Sequence, residues 1–74
     1  MELSKRIRMI RIEKGYSQDF VADKLGVSQP CYSMTEKNAE KTSYSTLKKI
    51  AFILGVSVLF LLDIDSSSYI EFHR

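Results

Sequence analysis

Apolar positions recur along the first sixty residues at helical spacing, interrupted by glycine and serine. Leu3, Ile7 and Ile10 repeat every three or four residues, which predicts a first helix from about Ser4 to Lys14 with one face toward a core. Gly15 ends it. Val21, Ala22 and Leu25 share one face of a second helix, Gln18 to Leu25, which opens on Ser17 as cap with Asp19 at its positive end. Gly26 follows the last apolar residue, Ser28 stands ready to cap a third helix over Gln29 to Lys37, and Pro30 falls in its first turn, where a missing N–H costs little. Ser43 caps a fourth helix that puts Tyr44, Leu47, Ile50, Ala51 and Leu54 on the core face. Gly55-Val56-Ser57 repeats the stop and cap of Gly26-Val27-Ser28. A fifth helix then runs from Ser57 to about Leu62.

The fifth helix is unusual. Its run Val58-Leu59-Phe60-Leu61-Leu62 is apolar throughout, and five consecutive residues of one short helix cannot all point inward. Val58, Leu61 and Leu62 suit the core, so Leu59 and Phe60 are left as candidates for an interface. Beyond a polar linker, Ile70 and Phe72 alternate with Glu71 and His73 as in a half-buried strand, one that pairs with a second copy of itself or folds back over Met9 and Ile12. Residues 1–62 are thus read as one domain and 63–74 as a tail, a candidate dimerisation strand whose plain alternative is a frayed terminus.

Only three residues separate the second helix from the third, so the chain must turn steeply between them, a helix-turn-helix signature. That turn is common at helix junctions, and the frame around it is more specific. Arg6-Ile7-Arg8, Arg11, Glu13-Lys14-Gly15, Ser17-Gln18, Val21-Ala22, Leu25-Gly26-Val27-Ser28, Ser33, Glu36, Leu47, Lys49-Ile50-Ala51 and Leu54-Gly55-Val56-Ser57 form it. Through these residues the chain resembles the phage-repressor-like helix-turn-helix family, Cro/C1-type or XRE, from Arg6 to Leu62.

The resemblance implies an all-α, compact five-helix fold of the lambda-repressor kind, with the third helix entering the major groove of DNA. It places Gln29, Pro30, Ser33 and Met34 against base edges. Gln29 can offer donor and acceptor together to adenine, whereas Met34 and Pro30 offer only apolar contact, as with thymine methyls. Gln18, Lys37, Asn38 and Lys41 become contacts to the phosphate backbone, Gln18 at a helix N-terminus where free N–H groups attract anions. In that family an arginine at the place of Arg11 pairs with a glutamate late in the third helix, here Glu36, and a guanidinium holds a carboxylate through two parallel bonds. The third helix's inward positions hold Tyr32 and Thr35 where aliphatic residues are usual. Asn38 stands where the family often has a glycine suited to a left-handed turn, and Met9, Ile12 and Phe20 stand where the family is often charged, which implies further exposed apolar surface.

Composition changes this picture little. A chain of 74 residues supports one domain, and at that length only about 60% of the unfolded surface is buried, so dimerisation helps. The net charge of +2 hides an asymmetry: residues 1–62 carry ten Lys or Arg against six Asp or Glu, while the tail is acidic. That basic body suits phosphate. Cys31 is the only cysteine, so no internal disulfide forms, and a cytoplasmic location is expected. The longest apolar stretch is too short to span a bilayer.

Two functions are expected. The first is a sequence-specific transcriptional regulator, a homodimer reading a palindromic operator in double-stranded DNA. The second is an antitoxin or other interaction module that neutralises a toxin partner through the apolar surface. Enzymatic and metal chemistry are not expected, and no cofactor is: His73 is the only histidine, and no glycine-rich phosphate loop or metal-ligand cluster occurs.

Overall fold

The described residues pack as five α-helices around one apolar centre, with no strand among them. A computed structural model describes residues 2–62. The helices are α1 (Leu3–Glu13), α2 (Gln18–Leu25), α3 (Gln29–Lys37), α4 (Tyr44–Leu54) and α5 (Val58–Leu62), with a single 3-10 turn over Ala39–Lys41 between α3 and α4. The tail strand expected around Ile70 and Phe72 lies outside the described residues.

Serine hydroxyls set the helix starts. Ser17, Ser28 and Ser43 accept from the backbone N–H of Phe20, Cys31 and Thr46, and Ser57 accepts from that of Phe60. Each satisfies a donor that the first helical turn leaves without a partner. At the other ends, Gly26 and Gly55 take φ of 83° and 75°, a region that residues with a Cβ enter at a cost.

Two ends are finished from a distance. Glu2 offers α1 no side-chain cap, and the Glu40 carboxylate instead accepts from the Leu3 N–H at 2.9 Å. Ser4 Oγ in turn donates to the carbonyls of Glu36 and Lys37 at 2.9 and 3.1 Å, closing the C-terminal end of α3. The start of α1 is thereby stitched to the end of α3 and the turn after it.

Ile7, Val21, Tyr32, Ile50, Leu54 and Leu61 are the largest fully buried side chains, so every helix sends at least one into the core. The expected core face of α4 needs one correction. Tyr44 is 57% exposed, because it is the first residue of α4 and its ring lies out under the Lys48 ammonium at 5.5 Å. Thr35 is half-buried, with its hydroxyl returned to the Cys31 carbonyl. Asn38 is not left-handed: at φ −110° and ψ 40° it passes directly into the 3-10 turn, which requires no reversal, and its side chain donates to the Met34 carbonyl.

Candidate nucleic-acid interface

The site begins with a buried charge. Glu36 is only 4% exposed, and its two carboxylate oxygens meet four donors. Arg11 Nε donates to Oε2 at 2.7 Å and Arg11 Nη2 to Oε1 at 3.2 Å, the forked geometry of a guanidinium on a carboxylate. The Tyr32 hydroxyl donates to Oε2 at 3.0 Å and Gln18 Nε2 to Oε1 at 2.8 Å. Arg11 also donates to the Tyr16 carbonyl, which closes the loop between α1 and α2.

Burial works against ionisation of Glu36 and is the largest single influence on it, but the hydrogen bonds from Arg11, Gln18 and Tyr32, with the charge of Arg11, together outweigh it and hold the carboxyl below its ordinary value. Burial, followed by the negative charge of Glu36 and the hydrogen bond to it, pushes the Tyr32 phenol well above its ordinary value. The pair stays ionic and fully bonded: no buried side-chain polar atom among the described residues lacks a partner.

The network reaches the surface through two amides. Gln18 passes its Oε1 to Gln29, whose Nε2 donates to it at 2.8 Å. Gln29 is half-buried at the start of α3. Beyond it along α3, Pro30 and Met34 are exposed, Met34 at 58%, and Ser33 is half-buried. Lys37, Asn38 and Lys41 are exposed at the far end of α3 and in the 3-10 turn.

Gln18, expected as a phosphate contact at the start of α2, is given a second task by the fold as the link between Glu36 and Gln29. One of its N–H groups remains for a phosphate. Lys5 and Arg8 line one hollow of about 530 Å³ together with Arg11, Gln18, Ser33 and Lys37. Their basic spacing along α1 was the available signal. Glu40, the neighbour of Lys41, is occupied by the start of α1.

Several large apolar residues stay outside. Leu59 is 70% and Phe60 50% exposed, while Leu61 is fully buried. Arg6 donates from Nε to the Phe60 carbonyl at 2.8 Å and lays its guanidinium 4.6 Å over the Phe60 ring, covering one face of it. Met9 and Ile12 are about half exposed, and Phe20 leans on Tyr16 with ring centroids 4.5 Å apart.

A family model described as helix-turn-helix matches residues 7–61, which span the five helices but for the first turn of α1 and the last residue of α5. The chain belongs to the helix-turn-helix family of Cro/C1 (XRE) type. The SPbeta prophage-derived HTH-type transcriptional regulator YonR of Bacillus subtilis is 41% identical over 58 residues, 78% of this chain and 54% of YonR. SinR, an HTH-type transcriptional regulator of the same organism, is 40% identical over 62 residues, 82% of this chain and 56% of SinR. The crystal structure of SinR, the master regulator for biofilm formation, in complex with DNA superposes with a TM-score of 0.70 at 40% identity, covering 84% of this chain and all of that one. The chain spans about half the length of the curated relatives it matches.

Proposed function

We propose that this chain is a sequence-specific DNA-binding transcriptional regulator that sets α3 into the major groove. One observation carries the reading: α3 opens on Gln29, whose Nε2 is braced from inside while its Oε1 has no partner among the described residues. A planar amide held in this way is suited to the edge of adenine, which offers a donor and an acceptor side by side. Pro30 and Met34 supply apolar contact to thymine methyls, and Ser33 a hydroxyl.

Gln18, Lys37, Asn38 and Lys41 contact the phosphates, joined by Lys5 and Arg8 from the hollow beside α1. The membership of the chain in a family with a relative crystallised on DNA supports this arrangement. Among the described residues no helix is long and apolar enough to cross a membrane.

A short helix makes few base contacts, so two copies acting together are needed to distinguish an operator from bulk DNA. The exposed Leu59 and Phe60 on α5 are the dimer surface we assign, with Ile70 and Phe72 of the tail as further candidates. Selection of bound duplexes from a random pool tests the whole reading. A palindromic consensus is the expected result, and recovery of an unselected pool would refute sequence-specific binding. Gln29→Ala is expected to cost about 1–3 kcal/mol at one base pair per half-site, read as relaxed preference there and nowhere else.

The alternative, a module that neutralises a toxin or other protein partner, draws support from the same exposed Met9, Ile12, Leu59 and Phe60. Sedimentation of the purified chain separates the two. A dimer that dissociates on Phe60→Asp identifies the surface as a self-contact; a monomer before substitution leaves it for another protein.

A further inference from the structure

A second hollow, of about 520 Å³, lies between α2 and α4 and shares no residue with the one beside α1. The spacing along α4 builds half of it. Lys48 precedes Phe52 by one helical turn and Lys49 precedes Ile53 likewise, so each ammonium stands beside an apolar side chain on the same face. Lys24 and Leu25 close it from the end of α2. Leu25 and Ile53 are half-buried against the core, whereas Phe52 is 85% exposed, more than any other large apolar side chain among the described residues. Single exposed apolar residues are common, but this one continues an apolar surface ringed by charge of one sign.

The three lysines lack an opposite charge. Lys24 and Lys48 lie over the rings of Phe20 and Tyr44 at 5.4 and 5.5 Å, and none of the three meets a carboxylate among the described residues. No acidic side chain among those residues lines the hollow. Its complement is a segment that carries carboxylates and large apolar side chains together. Residues 63–74 have that composition: Asp63, Asp65 and Glu71 stand against Arg74, interspersed with Ile64, Tyr69, Ile70 and Phe72. They follow α5, which packs on α4, and when extended they reach about 40 Å, against about 16 Å for the whole length of α4.

We propose that the groove between α2 and α4 is the docking site of the chain's own acidic tail, residues 63–74. Ile70 and Phe72 cover Leu25, Phe52 and Ile53, and the carboxylates of the tail meet Lys24, Lys48 and Lys49. An apolar anchor inside a ring of opposite charge gains twice: burial removes apolar area from water, and the water so excluded strengthens the ionic rim. A tail seated in its own chain takes Ile70 and Phe72 out of the dimer surface, which leaves that role to Leu59 and Phe60. It also neutralises three cations that otherwise attract nucleic acid without regard to sequence. Nothing in this docking depends on α3 as a reader of bases.

The chain contains no tryptophan, so Phe72→Trp and Tyr69→Trp, made separately in the full chain, each place a single fluorescent reporter in the tail. From at least one of them we expect indole emission to the blue of tryptophan in water, with protection from quenching by acrylamide. Phe52→Ser should abolish the shift. So should Lys24→Glu, Lys48→Glu and Lys49→Glu together, and adding Asp63→Lys, Asp65→Lys and Glu71→Lys to that variant should restore it, which a merely structural effect of the lysines would not do. Water-like emission from both reporters in the otherwise unaltered chain overturns the proposal and leaves the groove to another protein. A shift that fades on dilution also overturns it, because the occupant is then the tail of a second copy. A shift that survives Phe52→Ser and the three lysine changes overturns it as well, and its loss in Met9→Ser with Ile12→Ser would assign the tail to α1. Should melting show the triple lysine variant unfolded, Phe52→Ser decides the matter, because that side chain is exposed and its removal spares the core.

Discussion

The molecule uses one tripeptide twice, with different results. Gly26-Val27-Ser28 joins α2 to α3, and Gly55-Val56-Ser57 joins α4 to α5. In both, the glycine is left-handed, the valine N–H returns 3.0 Å to the carbonyl of an alanine five residues back (Ala22 or Ala51), and the serine hydroxyl caps the next helix. Local chemistry at the two turns is nearly the same. The helices that leave them are unlike: α3 buries an ionised Glu36 and a tyrosine and shows polar groups outward, whereas α5 buries Leu61 and shows Leu59 and Phe60. The comparison teaches that a turn sets where a helix departs, while the side chains after it decide what that helix meets.

The largest effects should separate the two helix pairs by what anchors them. Arg11→Ala strands the buried Glu36 carboxylate and is expected to cost about 3–5 kcal/mol. Leu61→Ala empties a fully buried site and is expected to cost about 2–5 kcal/mol. Denaturant midpoints check both. A loss below about 1 kcal/mol in either variant would show that the residue is not an anchor.

Acid distinguishes them further. The folded-state pKa of Glu36 is depressed, so its contribution is fully present above the ordinary carboxylate value of about 4.3 and fades as pH falls through the lower folded value. Melting followed from pH 7 to pH 3 should therefore show the gap between the parent chain and Arg11→Ala narrowing at the acid end. The gap to Leu61→Ala carries no such dependence.

The shared turns predict a match where the anchors differ. Gly26→Ala and Gly55→Ala should each cost about 1–2 kcal/mol, since both force a Cβ into left-handed backbone. Neither meets a steric block: an added Cβ finds open space at Gly26 and an ordinary 3.7 Å contact with Lys14 Nζ at Gly55. Clearly unequal melting temperatures would show that the turns are not equivalent. The smallest effect expected is that of Lys41→Ala, which should weaken all duplexes alike and lower the salt slope of binding by about one.

Helix positions were legible because caps and left-handed glycines act within a few residues of their own sequence. Ser17, Ser28, Ser43, Gly26 and Gly55 mark boundaries that periodicity alone leaves loose. The partnership of Arg11 with Glu36 was legible only through family resemblance, since the two lie 25 residues apart. Glu40 capping α1 and Arg6 covering Phe60 were not legible, since each contact joins residues more than 30 apart with no periodic signature. Tyr44 fits the apolar stripe of α4 and still lies outside, because a stripe gives the face of a helix and not how far along it the neighbouring elements extend.

The sequence by itself determined five short helices, their starts and stops, and which stripe of each is apolar, since these depend on hydrogen-bond satisfaction and side-chain spacing along a single turn or two. Only the tertiary structure decided that Gln18 faces Glu36 rather than water, and that Gln29 is braced while its oxygen points away. An amide is equally content with water or protein until the packing of α1, α2 and α3 brings a carboxylate within 3 Å of one and excludes the solvent from between them.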